Sequence, residues 1–562
     1  MGARTGRGRR GERRCCKQRR GCSTLTRAPE TARRVFPGAG AVLCSRRTQG
    51  NPVARRRWGD TMLFNSYTFV FLFLPLTALG FWGLASRVGR RAAIAWLVLC
   101  SLFFYAYWNP VYLALLGVSI AMNFGIGYAL GGGDAHTRGR QGLLALGVAG
   151  NLGLLGYFKY ANFFVDTLND LTGATVHLAP IMLPLAISFF TFQQIAYLID
   201  AYKGLTSEHN FLDYCLFVTF FPQLIAGPIV HHKEMLPQFA RHGAFHFDPE
   251  NVSAGATMFL IGLCKKVVLA DSVAQFANPV FDGAFAGQPP AFAAAWLGSL
   301  AYTFQLYFDF SGYSDMAVGL GRIFGIRLPL NFNSPYKSRN FLELWRRWHM
   351  TLSRFLRDYL YIPLGGGKRG PSRRALNLLI TMLLGGLWHG AAWTFVFWGG
   401  LMWFYVVVNA LFDRFCKRLG IDRYADRPAW VQSARALTFL AAMFSLVFFR
   451  SADFATAGSV IKGLAGLNGF SLATGFDLQD AVWWNLGLLA IVWFAPNTAQ
   501  IMTHFKPVLA WAQLSRDWPP VPRWLGWLKW RPAPGAAIAV GLLAVVVVMS
   551  MSRIKEFLYF QF

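Results

Sequence analysis

Hydrophobic residues occupy long blocks of this chain, and polar residues are confined to short gaps between them. A block of about 20 apolar residues crosses a bilayer as one helix. Such blocks lie near 68–86, 92–109, 111–131, 141–167, 178–199, 211–230, 255–271, 435–449, 482–502 and 535–551. Those at 291–326 and 375–412 are each long enough for two helices. The pattern predicts an all-α polytopic membrane protein with roughly 10–13 transmembrane helices and no sizeable soluble domain.

One polar island interrupts this pattern. Residues 336–374 hold ten Lys/Arg against Glu343 and Asp358. Such a basic excess beside membrane spans faces the cytoplasm. At 100° per residue, the stretch from Leu344 to Leu360 separates an apolar stripe from a face carrying Arg346, Arg347, Arg354 and Arg357. It predicts one amphipathic helix at the membrane interface, with His349 toward the apolar side. The following "IPLGGGKRG" combines exposed backbone amides with Lys368 and Arg369, groups that suit phosphate. The same charges also suit a simple topology anchor.

Composition adds to this picture. Hydrophobic residues make up 54% of the chain and charged residues 14%, against about 25% charged in soluble domains. Of the net charge of +29, residues 1–61 supply +14. That leader is rich in Arg, Gly and Pro, lacks an apolar core and reads as disordered. Met62 opens "MLFNSYTFVFLFLPL", so residues 1–61 are expected to come from a start codon assigned too early, with the membrane domain at 62–562. A basic tail for nucleic acid or lipid and a transit peptide are the other readings of the leader.

The sequence lacks several signatures. There is no Cys/His set with zinc spacing, no Walker A loop and no GxSxG elbow, so no metal or bound cofactor is expected. Within the apolar blocks the rare ionisable residues therefore carry the argument. Asp309 and Asp315 lie in a Gly/Ser-interrupted run and require partners or a polar cavity, with Arg322 or Arg327 as candidates. The stretch "LLGGLWHGAAWTFVFWGG" (383–400) has a single ionisable residue, His389. Imidazole suits a general base near neutrality. A hydrogen bond to a neighbouring helix is the alternative role.

"FDFSGYSDMAVGLGRIFGIRLPLNFNSPYKSRNFLELWRRWHMTLSRFLRDYLYIPLGG", followed by "GGLWHGAAWTFVFWGGL", resembles the membrane-bound O-acyltransferase family. It is most similar to the branch of alginate O-acetyltransferase membrane subunits, which also includes teichoic acid D-alanyl transfer. "LPLAISFFTFQQIAYLIDAY", "FFPQLIAGPIV" and the terminal "FLYFQF" fit the same branch. The resemblance implies a ring of helices around a thinned centre, with a tunnel from a cytoplasmic donor entrance to an extracytoplasmic acceptor side. It maps the family's two histidines onto His349 and His389. Trp388, Asp315 and Asn333 are expected at the tunnel, and Arg346, Arg347, Lys368 and Arg369 at the donor entrance. It further implies acetyl-CoA as co-substrate and a separate extracytoplasmic partner that completes transfer to a polysaccharide. Tyr559, in the aromatic tail 557–562, is expected to serve as a covalent acyl carrier or, alternatively, the tail as an anchor. The function expected is O-acetylation of an alginate-type exopolysaccharide at the bacterial inner membrane. Peptidoglycan or another envelope polymer, and a donor acyl group other than acetyl, stay open. A proton-coupled secondary transporter is the alternative from another class, although no internal repeat is visible.

Overall fold

In the computed structural model the described residues are 62–131, 137–206, 210–240, 245–421, 426–518, 521–551 and 558. The leader 1–61 and Tyr559 lie outside them. Every described element is helical and no strand occurs among them. The principal helices, in chain order, are α1 (Phe69–Arg87), α2 (Arg90–Trp108), α3 (Val111–Gly131), α4 (Arg138–Thr172), α5 (Ile187–Tyr202) and α6 (Pro249–Phe285). They continue as α7 (Phe292–Ile323), α8 (Phe341–Arg347), α9 (Met350–Leu356), α10 (Gly370–His389), α11 (Trp393–Arg418), α12 (Pro428–Arg450), α13 (Leu478–Phe494) and α14 (Pro534–Ser550). Seven of these, α1 to α4, α6, α11 and α12, are long and apolar enough to cross a bilayer by themselves, and α13 and α14 are shorter apolar helices.

Local chemistry sets several boundaries. Asp248 caps α6 by accepting from the Glu250 N–H at 2.9 Å, and Pro249 occupies the first turn. Asp477 likewise caps α13 through the Asp480 N–H at 2.7 Å.

The block at 291–326 is not two spans. It is the single 32-residue helix α7, buried along most of its length. The glycines expected to interrupt it instead face helix α6. A Cβ on Gly319 would lie 2.5 Å from the Gly255 carbonyl, and one on Gly312 would lie 2.6 Å from the Gly262 carbonyl. The two backbones approach as closely as they do because neither partner carries a side chain at these crossings.

The carboxylates on α7 also find partners other than those expected. Lys266 pairs with Asp309 at 2.6 Å and with Asp271 at 2.9 Å, while Lys265 pairs with Asp315 at 2.5 Å. Both lysines begin a π-helical segment, Lys265–Ala270, within α6. Arg322 instead lies 3.8 Å from Glu250. Buried charges persist only when paired this closely.

Other stretches also depart from continuous helix, and at 178–199 the helix begins only at Ile187. At 211–230 two short helices, Phe211–Thr219 and Phe221–Leu224, give way to irregular, buried backbone. Non-helical chain at membrane depth is tolerated where protein covers it. The expected amphipathic helix from Leu344 to Leu360 breaks between α8 and α9. His349 adopts a left-handed conformation there, with φ 41° and ψ 53°.

Candidate active site

The break at His349 is built into its surroundings. It frees the Arg347 carbonyl and the Met350 N–H. The Arg347 carbonyl accepts from Asn333 N–H at 2.9 Å, and the Met350 N–H donates to the Asn331 carbonyl at 2.9 Å. A non-glycine residue in this region costs of order 1–3 kcal/mol and persists where its neighbours hold it. Here the strain turns the imidazole of a fully buried residue inward.

The Asn331 side chain fixes that imidazole. Thr351 Oγ1 accepts from the Ile229 N–H at 3.0 Å, so its own proton goes to Asn331 Oδ1, also at 3.0 Å. Asn331 Nδ2 donates to Ser314 Oγ at 3.2 Å. Oδ1 is therefore the atom facing His349, and His349 Nδ1–H donates to it at 3.1 Å. The proton sits on Nδ1 and the Nε2 lone pair is left available, as a general base requires. Nε2 is buried and has no hydrogen-bond partner among the described residues.

His389 is the last residue of α10 and is also buried. Its ring lies 6.4 Å from that of His349, centroid to centroid, at 65°. Trp388, Trp398 and Phe449 enclose it at 5.0, 5.3 and 5.2 Å. The two histidines, 40 residues apart in sequence, thus face one another in an aromatic chamber. Trp388 forms part of its wall, with its ring 6.1 Å from His349.

A cavity of about 770 Å³ opens beside this chamber, between α8, α9, α10 and the segment at 509–514. Leu330, Met350 and Thr351, which flank Asn331 and His349, are among its lining residues. Arg346, Arg354, Arg357 and Arg374 give it a basic wall. Arg354 is held by Glu234 through two bonds of 2.6 and 2.9 Å, and Arg357 bonds Asp358 at 2.7 Å. Arg346 and Arg374 have no carboxylate partner among the described residues. Trp345 lines this cavity and also a smaller one of about 30 Å³, shared with Trp348, Trp398, Met402 and Leu446.

The other expected residues fall elsewhere. Arg347 bonds Glu343 at 2.7 Å, with the Asn333 carbonyl 3.4 Å away. Lys368 and Arg369 are exposed on the glycine-rich turn, outside the cavity lining. Asn333 Oδ1 accepts from Asn497 Nδ2 at 3.0 Å. Asp315 takes Thr498 Oγ1–H at 2.6 Å in addition to Lys265. Both thereby tie the segment at 495–500 to the core. Asn331 was not anticipated, although it lies in the same "NFN" triplet as Asn333.

Around Arg354 a second polar shell forms. Tyr359 OH donates to Asp200 at 2.9 Å and accepts from His231 Nδ1 at 2.9 Å, while Glu234 accepts from the His231 N–H at 3.3 Å. Burial, aided by the Arg354 cation, pushes the His231 imidazole down to about 4, so it is neutral at physiological pH. No group of three or more His, Cys, Asp or Glu suited to a metal occurs among the described residues.

Two buried imidazoles beside a basic cavity, within a helical protein that has seven candidate membrane spans, make a candidate acid–base site. The signature of the membrane-bound O-acyltransferase family, MBOAT, matches residues 187–451, which contain both histidines and the four cavity arginines. The chain is 44% identical to a peptidoglycan O-acetyltransferase of Helicobacter pylori over 73% of this chain and 81% of that protein. It is 38% identical to the probable alginate O-acetylase AlgI of Pseudomonas putida over 89% of this chain and all of that one. A teichoic acid D-alanyltransferase of Streptococcus thermophilus is 29% identical over 42% of this chain and 60% of its own length. The chain belongs to the membrane-bound O-acyltransferase family and is a multi-pass membrane O-acyltransferase.

Proposed function

We propose that the protein is a polysaccharide O-acetyltransferase of the bacterial cytoplasmic membrane that draws acetyl from cytoplasmic acetyl-CoA. The observation that carries this reading is the placement of the histidine pair next to the arginine-walled cavity. Coenzyme A is an anion with several phosphates, and guanidinium groups bind phosphate in two-point fashion. The cavity is the donor entrance, with Arg346 and Arg374 as its uncommitted cations. The thioester then reaches the chamber between His349 and His389, in the thinned centre of a ring of helices.

In the transfer step an imidazole Nε2 takes the proton of the attacking hydroxyl. The oxygen forms a bond to the acetyl carbon as the carbon–sulfur bond breaks, and the proton passes to the departing thiolate. His389 is the base that acts on the acceptor, and His349 is held by Asn331 at the donor side. The acceptor hydroxyl belongs to Tyr559 of the tail, which hands acetyl to an extracytoplasmic partner for the polymer. Leu558, its neighbour in sequence, supports this, because it is buried and its N–H donates to Asp309 Oδ2 at 3.2 Å. The polymer is an alginate-type exopolysaccharide. The identity to the Helicobacter enzyme supports peptidoglycan as a second reading.

Purified protein supplied with acetyl-CoA and a short tyrosine peptide or oligosaccharide tests the reading. Release of free coenzyme A thiol with acetyl recovered on a hydroxyl is the expected result. A transporter would release none, and that result would remove the proposal. Loss of O-acetyl from exported polysaccharide or from peptidoglycan in a deletion strain then identifies the polymer.

A further inference from the structure

Lys159 stands in the middle of the apolar block at 141–167, within the π-helical segment Gly156–Tyr160 of α4. A cation inside a membrane span is expensive and requires compensation. No carboxylate pairs with it among the described residues. Its Nζ instead donates to the Trp388 carbonyl at 2.5 Å and the His389 carbonyl at 3.3 Å, with Ser188 Oγ at 3.5 Å. The Trp388 ring lies 5.9 Å below it. The neighbouring Tyr160 OH donates to the Leu387 carbonyl at 3.0 Å.

These acceptors share a feature. α10 ends at His389, and Gly390 leaves the helix with φ −160° and ψ 150°. The last four carbonyls of a helix have no intrahelical donor and form the negative end of its dipole. At membrane depth water does not satisfy them. Lys159 and Tyr160 serve three of the four, and their cation meets the negative end of the helix that carries His389. The π-helical segment adds the extra residue that brings adjacent side chains, 159 and 160, onto the same target, a common use of such segments at functional sites.

We infer that Lys159 is a positioning residue for His389, with Tyr160 as its auxiliary: together they clamp the terminus of α10 and set the depth and direction of the imidazole. The inference rests on His389 acting in acyl transfer, and it concerns a residue outside the family signature, which begins at residue 187. The clamp involves none of the residues that line the donor cavity. It therefore acts on turnover and leaves donor binding alone.

The test compares Lys159→Met, Lys159→Arg and Tyr160→Phe in full-length protein, with kcat and KM for acetyl-CoA measured on equal amounts of monodisperse enzyme. Lys159→Met should lower kcat by about 10- to 100-fold, the range for a displaced catalytic group, with KM within about twofold of wild type. Lys159→Arg restores a cation and two-point donation and should recover most of the rate. Tyr160→Phe removes a single bond and should cost only about two- to fivefold. A Lys159→Met enzyme with unchanged kcat, or one whose loss lies in KM, overturns the inference. So does a Lys159→Arg enzyme no better than Lys159→Met. If Lys159→Met yields no folded protein, a wild-type rate in Tyr160→Phe overturns it in its place. Wild-type enzyme inert toward acetyl-CoA would instead count against the functional reading.

Discussion

Replacing Asn331 with Ala should disable the enzyme without disturbing donor binding. Asn331 Oδ1 accepts from His349 Nδ1–H and Thr351 Oγ1–H, and its Nδ2 serves Ser314. The Thr351 hydroxyl can rotate toward another acceptor, and Ser314 Oγ loses only a donor. The His349 ring cannot turn as freely, because Phe310 meets it edge-on at 4.8 Å and the residue is fully buried. Its N–H is then left unpaired, at a cost of about 1–3 kcal/mol. The tautomer with the proton on Nδ1 thus loses the advantage Asn331 gave it, and the form with the proton on Nε2, which lacks the lone pair facing the chamber, becomes populated. At about 1.4 kcal/mol per factor of ten, the ratio of reactive to unreactive tautomer falls by about 5- to 150-fold, and kcat falls with the reactive fraction. KM for acetyl-CoA should hold, since the cavity arginines are untouched. Thr351→Val is the control: it removes the bonds to Asn331 and from the Ile229 N–H but leaves the His349 bond in place, so its effect on kcat should be several-fold smaller. The assay is coenzyme A release at saturating donor, with enzyme quantified by monodisperse peak area. A normal kcat in Asn331→Ala, or a Thr351→Val loss of equal size, would refute the orienting role of Asn331.

Three further outcomes are expected. His389→Ala should lower acetyl transfer by about 10²- to 10⁴-fold at normal membrane levels; near-normal polymer acetylation in a complemented strain would return the imidazole to a packing role. Neutralising Arg346 and Arg374 should raise KM for acetyl-CoA by about tenfold or more with kcat little changed, while neutralising the exposed Lys368 and Arg369 should do less; equal effects would mean the cavity wall does not receive the donor. Tyr559→Phe should abolish polymer acetylation, and if acetylation persists there but is lost on deletion of residues 557–562, the tail is an anchor and the relay is wrong.

Much of the fold was readable because its cause is written locally. Apolar block length marks a span, and a lone imidazole among Trp and Phe marks a candidate site, so His389 is legible in the sequence. What escaped depended on single dihedrals or on partners far along the chain. The 100° pattern through 344–360 continues smoothly across Trp348, because periodicity reports side-chain polarity and not the φ of residue 349. Glycines in α7 read as interruptions, yet they are where α6 comes within 2.5–2.6 Å of a would-be Cβ. The lysine partners of Asp309 and Asp315 lie some 40 to 50 residues upstream, and an adjacent Lys265–Lys266 pair in an apolar run was the available signal for them.

These departures from regular helix share a location, and that location has a physical cause. The irregular chain at 225–231, the segment 328–334, the turn at His349, the exit at Gly390–Ala392 and the bend after Phe494 are all non-helical backbone in an otherwise helical protein. In a bilayer each such stretch leaves peptide groups that only protein or an enclosed polar cavity can satisfy. Here they satisfy one another or draw on side chains: the Asn331 and Asn333 backbone on the His349 break, Thr351 on Ile229, Lys159 on the end of α10. The unpaired ends of the helices therefore converge instead of scattering, and both imidazoles are placed where helices begin or end. A regular helix fixes side chains on its flank, against a neighbour. A terminus lets a side chain point along the cavity, and it supplies the dipole and free carbonyls by which distant residues hold it. The buried lone Lys in an apolar block and the buried Asn beside a broken helix are thus signs of the same centre as the histidines. Each is a polar group whose cost is met by a terminus.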